Sequence, residues 1–173
     1  NNDPGERFIP RHGRDMTMVA ATMLLTLPGL PCIYTGQEVG AEFEPYRTSQ
    51  PISWGDYQGL RDQYKHLVHL RRANPSLHSR QWDILEAKSD QQVLAYARYG
   101  QAGDAPALVL LNYSRQPATA DIPLPNRAAA FTSPVELHNL ITDQRIPVAH
   151  PSKSTLRLTL PALTALILTT PGS

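Results

Sequence analysis

The sequence predicts two kinds of structure in succession, an α/β segment followed by an all-β antiparallel sandwich. Three observations predict it: helical periodicity confined to the first part, a change beyond Ser76 to short extended segments, and Pro-rich turn chemistry between those segments. With 173 residues the chain can bury one good core, or join a piece of one domain to a complete second one. The expected division is 1–75 and 76–173, with the boundary near Asn74 to Ser79.

From Arg14 to Leu27 the residues Met16, Val19, Ala20, Met23, Leu24 and Leu27 recur at helical spacing and predict an apolar stripe, with Asp15 as the N-cap. Pro28-Gly29 must end this helix, because proline lacks the amide donor and glycine takes the left-handed conformation of a cap. The apolar run Pro31-Cys32-Ile33-Tyr34 reads as a buried strand ended by Gly36, with Tyr34 in the core. The irregular stretch from Gln37 to Tyr57 exceeds the usual connection length, which marks functional loops. A second helix runs from about Gln58 to Ala73, with Leu60, Tyr64, Leu67, Val68 and Arg71 on one face, and Asn74-Pro75 ends it.

Seven strands are then expected: Trp82–Ala87, Val93–Tyr99, Ala107–Tyr113, Ala118–Ile122, Val135–Asn139, Leu156–Leu160 and Leu163–Thr169. Leu156, Leu158 and Leu160 alternate with Arg157 and Thr159, the pattern of a strand with one wet face. The run Leu108-Val109-Leu110-Leu111 instead demands cover on both sides. Ser89-Asp90, Gly100 to Asp104 and Pro161-Ala162 supply turns.

Charge excludes two partner classes. Sixteen basic and fifteen acidic residues give a net charge of +1 and are spread along the chain, so neither nucleic acid nor an anionic membrane is an expected partner. The longest apolar run, around Val19 to Leu30, is too broken to span a bilayer. A single cysteine, Cys32, excludes an intrachain disulfide and a multi-cysteine metal site. His66 and His69 are spaced for one helix face, but no third ligand lies near them in sequence, so no metal is expected. The chain opens at Asn1-Asn2-Asp3 without an initiator Met or an apolar leader, which predicts a cut within a larger protein.

Several segments together resemble one family. LTLPGLPCIYTGQEVG, Leu25 to Gly40, is similar to the helix-to-last-strand junction of the α-amylase superfamily, glycoside hydrolase family 13. Asn1-Asn2-Asp3 upstream resembles its N-H-D motif at the end of the seventh barrel strand. Pro51-Ile52-Ser53-Trp54 resembles its P-x-x-W loop, and Leu70 to Leu77 its L-R-x-x-x-P-x-L closure of the eighth helix. Val93 to Arg98 and Val109 to Ser114 are similar to two strands of its C-terminal sandwich. The motifs cover about residues 1 to 114.

The resemblance implies that the α/β segment is the end of a (β/α)8 barrel, a TIM barrel, contributing two helices and the last strand ahead of the sandwich. It further implies a retaining mechanism on α-glucosidic bonds, with two carboxylates about 5 Å apart as nucleophile and acid. A third carboxylate stabilises the oxocarbenium-like transition state, and by correspondence that residue is Asp3. Nucleophile and acid would lie on earlier strands of the parent, so the chain alone is expected to be inactive. The resemblance makes an oligosaccharide or polysaccharide the substrate, implies no cofactor for this segment, and leaves calcium to the rest of the parent. Oligomeric state and compartment stay open.

Asn2 stands where the family has histidine. An amide still hydrogen-bonds a sugar hydroxyl but takes no proton, so Asn2 reads as a substrate-binding residue and the departure puts full activity in question. A non-catalytic, amylase-like binding or assembly protein is the alternative. Asp3 before Pro4-Gly5 is, without the other motifs, an ordinary Asx-turn residue. Glu38 reads as an orienting residue at the barrel mouth beside Gln37. Trp54, Tyr46 and Tyr57 either stack on sugar faces or pin their loop, and the sequence leaves both open. Because two helices and a strand cannot close a barrel, the apolar faces around Met23, Leu24 and Leu67 are expected to lose their neighbours.

Overall fold

Alternation along the central strands puts apolar side chains on both faces of one sheet, which requires a layer on each side of it. The computed structural model, which describes residues 8–41 and 51–171, has that architecture: helices, a six-stranded sheet and a four-stranded sheet. The helices are α1 (Phe8–Thr26), α2 (Arg61–Ala73) and the single turn α3 (Pro75–His78). The strands are β1 (Gln81–Leu85), β2 (Lys88–Ser89), β3 (Val93–Tyr99), β4 (Ala107–Asn112), β5 (Ala118–Pro123), β6 (Glu136–Asn139), β7 (Gln144–Pro147), β8 (Ala149–Ser152), β9 (Thr155–Leu160) and β10 (Thr164–Thr169). The larger sheet has the order β1-β3-β4-β10-β6-β7 and the smaller β2-β5-β9-β8, with every pairing antiparallel. This is the expected antiparallel β-sandwich following barrel-type helices.

Between the sheets lies one core. Leu108 and Leu110 of β4, Leu166 and Leu168 of β10, and Ile122, Leu156 and Leu158 from the smaller sheet fill it, together with Phe131 from a 3-10 turn at Asn126–Phe131. The intervening residues Tyr96, Val109, Leu111 and Ile167 face the other way and join Val19, Leu25, Leu67 and Leu77 of the helices in a second core. Every residue of β4 is therefore buried, as its unbroken apolar run requires. On β9, Leu156, Leu158 and Leu160 are buried while Arg157 and Thr159 are exposed.

Several expectations need correction. The buried stripe of α1 comprises Thr17, Val19, Ala21, Thr22, Leu25 and Thr26, so of the expected stripe only Val19 is fully buried; Met16, Ala20, Met23, Leu24 and Leu27 are half-buried. The threonines fit the core because each hydroxyl donates back to the i−4 carbonyl: Thr17 to Gly13 (2.8 Å), Thr22 to Met18 (2.9 Å) and Thr26 to Thr22 (2.6 Å). Asp15 is not the N-cap either, since helical structure begins at Phe8 and is broken only at Gly13. Pro31–Tyr34 forms no strand and pairs with none among the described residues, and Tyr34 is 46% exposed rather than core. A parallel strand needs hydrogen-bonded neighbours, and every strand described here belongs to the two antiparallel sheets. Finally, the faces around Met23 and Leu67 are covered, Leu67 being buried and Met23 packed against the second core, while Leu24 stays half-buried.

Buried arginines tie the helices to one another and to the larger sheet. Arg71 of α2 donates to the carbonyls of Leu25 (2.9 Å), Leu27 (3.1 Å) and Gly29 (2.6 Å), satisfying the end of α1 and the turn after it. Arg98 of β3, with no exposed surface, donates to the carbonyls of Ser76, Leu77 and Ser79 around α3. Burial, and for Arg98 also the neighbouring Arg71 charge, lowers the pKa of these guanidiniums. Asn112, equally buried, donates to the carbonyls of Gln116 (2.9 Å) and Pro161 (2.8 Å) and accepts from the Ser114 amide (2.9 Å), locking two turns together. Replacing Arg98 by methionine leaves two buried carbonyls and one half-buried carbonyl without their donor; a loss of about 3 kcal/mol, a fall of about 10 °C in Tm, is expected by calorimetry.

Tyr96 joins the layers from the opposite side, sharing a 2.5 Å hydrogen bond with Thr26 and meeting Trp82 edge-on at 5.9 Å. Burial raises the pKa of Tyr96, and also of Tyr64 and Tyr113. In the unfolded chain these phenols ionise near pH 10, about the ordinary tyrosine value, whereas the folded chain keeps their protons to higher pH. The unfolded state thus binds fewer protons above pH 10, and stability falls as pH rises from there through the folded values. Urea titrations between pH 9 and 11 should show the midpoint dropping only above pH 10, with a shallower slope for Tyr96→Phe.

Candidate functional site

The rim expected to border a sugar pocket starts at a tight turn. Residues Gln37–Val39 form a 3-10 turn flanked by Gly36 and Gly40. Gly40 has φ 64°, a conformation that favours glycine, and a Cβ there would lie 2.5 Å from Ile9 Cδ1 and 3.1 Å from Leu60 Cδ1, side-chain ends that would have to turn aside. Gly36 approaches the next loop, its missing Cβ position lying 3.3 Å from Ile52 Cγ2. The start of α1, the turn and the segment leading into α2 therefore converge.

Gln37 is the polar centre of this convergence. Its Nε2 donates to the Tyr64 hydroxyl (3.0 Å) and its Oε1 accepts from the Tyr34 amide (3.1 Å), so the amide's orientation is fixed from both ends. Burial raises the Tyr64 pKa; the bond from Gln37 opposes that and the Glu38 charge adds to it. Glu38 is half-buried beside Gln37, an acceptor at the edge of the turn.

The loop carrying Trp54 and Tyr57 is braced at several points. Asp56 accepts from the amides of Leu60 (2.7 Å) and Arg61 (3.1 Å), satisfying donors at the start of α2. Arg61 returns a bond to the Trp54 carbonyl (2.9 Å), and Arg14 of α1 reaches the Gln58 carbonyl (2.7 Å). Trp54 and Tyr57 nevertheless remain 53% and 84% exposed. The roles of Asp56 and Arg14 were missed from the sequence, although an aspartate shortly before an apolar-periodic segment is a recognisable start signal.

Asp3, Asn2 and Tyr46 lie outside the described residues. His66 and His69 are exposed, and His66 Nε2 lies 3.1 Å from the Ile141 carbonyl. Among the described residues no group of three or more His, Cys, Asp or Glu could hold a metal, and no helix is long and apolar enough to cross a membrane.

No family model matches the chain. Over 129 residues it is 31% identical to the α-amylase MalA of Haloarcula japonica, an alignment covering 70% of this chain and 18% of that protein. The chain belongs to the α-amylase superfamily. Its fold matches the maltogenic α-amylase AmyB of Thermotoga neapolitana with a TM-score of 0.76 at 18% identity, over 95% of this chain and 38% of that one. A structure of AmyP in complex with maltotriose matches with a TM-score of 0.68 at 19% identity, over 92% of this chain and 35% of that one. This α-amylase-superfamily chain thus spans well under half of the relatives it matches, and corresponds to their C-terminal part. Gly40→Ala tests the convergence at the rim: the strained φ and the clash with Ile9 should cost more than about 1 kcal/mol and speed amide exchange at Gln37 to Val39.

Proposed function

We propose that the protein to which this chain belongs is a retaining α-glycosidase or transglycosidase acting on α-glucans, maltooligosaccharides or related α-glucosides. Asp3 is its transition-state-stabilising carboxylate and Asn2 a substrate-binding amide. The reading assigns 1–75 to the catalytic barrel and 76–173 to the sandwich. The observation that carries it is the contact of Ile9 with Gly40, because it joins the chain just downstream of Asp3 to the turn that bears Gln37 and Glu38. Loops after successive barrel strands border a common mouth in this way. The relative named α-amylase and the neighbour solved with maltotriose support the substrate class.

In this mechanism one carboxylate of the parent attacks the anomeric carbon while a second protonates the departing oxygen, and water later releases the covalent sugar. Positive charge develops near the ring oxygen and C1. An ionised Asp3 lowers the energy of that state more than of the ground state, and so acts on kcat rather than on affinity. Asn2 fixes a hydroxyl by hydrogen bonding without carrying a proton. The 173-residue chain supplies neither nucleophile nor acid and does not turn over on its own.

Asn2 also favours a second reading, an amylase-like protein that binds glucan without cleaving it. Kinetics of the full-length parent on maltotriose separate the two. The enzymatic reading expects Asp3→Asn to lower kcat by about 100- to 1000-fold with a much smaller change in KM, and the isolated chain to show no turnover of a nitrophenyl α-glucoside above a denatured control. A wild-type parent that binds maltotriose but never cleaves it establishes the second reading instead.

A further inference from the structure

The larger sheet ends at β1. That strand pairs with β3 along its whole length, from Gln81 opposite Tyr99 to Leu85 opposite Ala95, and takes the terminal place in the sheet order. Alternate residues of such a strand point N–H and C=O groups away from the sheet, a template for one more strand. A groove of about 810 Å³ runs along β1, with Pro123, Leu124 and Pro125 as its facing wall. The two prolines bring no N–H to that wall, and the Leu124 amide is already committed to the Ser154 carbonyl (2.7 Å). A strand entering the groove therefore pairs with β1 alone.

The groove also carries a chemical pattern. Leu85 belongs to the core between the sheets and Trp82 packs against the core under the helices, so by alternation Asp83 faces the first side and Ile84 the second. Ile84 is 66% exposed, a large apolar group left on an edge. Asp83 and Glu86 are the charged side chains lining the groove, and among the described residues neither forms an ion pair. Beside Asp83 lies the Tyr99 hydroxyl, buried and without a hydrogen-bond partner. Arg127 stands at the other end of the strand, where it donates to the Gln81 side chain and lies 4.1 Å from the centroid of the Tyr99 ring. Negative charge thus sits toward the Leu85 end of β1 and positive charge at the Gln81 end.

We infer that β1 is a docking edge for an extended cationic segment of another polypeptide, which adds to the larger sheet antiparallel to β1 with a basic side chain opposite Asp83 and an apolar one opposite Ile84. Direction follows from the charges, because an antiparallel strand brings its amino-terminal side to Glu86 and its carboxy-terminal side to Arg127. Main-chain bonds hold the added strand, and the opposite-charge and apolar cross-strand pairs select it. A second copy of this chain is a poor occupant: the register that pairs all five residues of β1 with their copies sets Asp83 against Asp83. The carboxylates that repel a like edge admit an oppositely charged one. The groove is built from the sandwich, so the inference is independent of the proposed function.

The peptide acetyl-Val-Lys-Val-Lys-Val-amide probes that chemistry. The chain has two tryptophans, Trp82 lining the groove and Trp54 outside it, hence two indole N–H resonances. Titration with the peptide should shift the Trp82 signal saturably and slow amide exchange along β1, while the Trp54 signal stays in place. Two N-methylated peptides, one methylated at the Lys amides and one at the Val amides, separate strand addition from charge attraction. The set that faces β1 should abolish binding and the other should leave it unchanged. A nitroxide in place of the acetyl group should broaden the amide signal of Glu86 more than that of Gln81. Glu in place of Lys in the peptide should remove binding, and Asp83→Asn and Glu86→Gln should each weaken it about threefold. A motionless Trp82 signal, equal binding of the two methylated peptides, or undiminished binding of the Glu peptide overturns the inference. So does a Trp82 shift that follows protein concentration without peptide, which assigns the edge to a second copy.

Discussion

Two guanidinium groups tie the helices to one another and to the larger sheet, and most of the remaining structure depends on them. A helix ends with carbonyls that have no partner of their own, and at the junction of α1, α2 and α3 those carbonyls face protein rather than water. Each arginine answers with several N–H groups in a fixed plane, enough for the three carbonyls that Arg71 meets and the three that Arg98 meets. A lysine offers fewer directed donors and loses its charge more readily when buried. The attachments run in series: α2 reaches α1 through Arg71, and β3 reaches α3 through Arg98. Loosening either link frees one helix end and leaves polar atoms dry.

Sharing of the larger sheet between two cores follows from this attachment. Alternate residues of β3, β4 and β10 serve the sandwich interior and the helical layer, so a sequence boundary between helices and strands is not a boundary in packing. Tyr96 against Thr26, and the Tyr113 hydroxyl on Met23 Sδ at 2.9 Å, add contacts across the same seam. Helix α2 spans the distance from seam to rim. Its first turn is held by Asp56, its next carries Tyr64 under Gln37, and its last sends Arg71 to the carbonyls at the end of α1. The rim is therefore supported by an element whose other end is fixed to α1.

Much of this was legible in the sequence, and the failures have identifiable causes. The long strands were read with bounds close to those observed because period-two alternation survives wherever one face is buried, as on β9. Strand β2, with two residues, and β7 and β8, with four each and mostly exposed, carry too few apolar positions to show a period. Ser89, at the end of β2, was read as turn chemistry for that reason. The stripe of α1 was misplaced because threonines were counted as polar, whereas their hydroxyls are satisfied within the helix and their methyls pack. Pro31–Tyr34 resembles a strand in composition, but composition cannot supply the neighbouring strands that would make it one. At the rim, the glycines and Gln37 were legible as a motif, while the bracing by Arg14 depends on a contact between distant segments.

The motifs that carry the family resemblance divide unevenly between architecture and chemistry. Arg71 and Arg98 saturate carbonyls, Asn112 joins two turns, and Gly36 and Gly40 permit close approach; none of these needs a sugar to explain its presence. Such residues are dictated by the fold, and a binding protein built on the same frame would require them equally. Agreement at these positions therefore argues strongly for architecture and hardly at all for turnover. In the proposed function chemistry enters through the short segment containing Asn2 and Asp3, where one position keeps the carboxylate of the family pattern and the other has an amide in place of an ionisable imidazole. An amide at that place removes a cation and a proton carrier while retaining a hydrogen-bond donor. The carboxylate keeps its value only where positive charge develops on a sugar, and that asymmetry makes Asp3, rather than the many structural matches, the residue on which the catalytic reading stands.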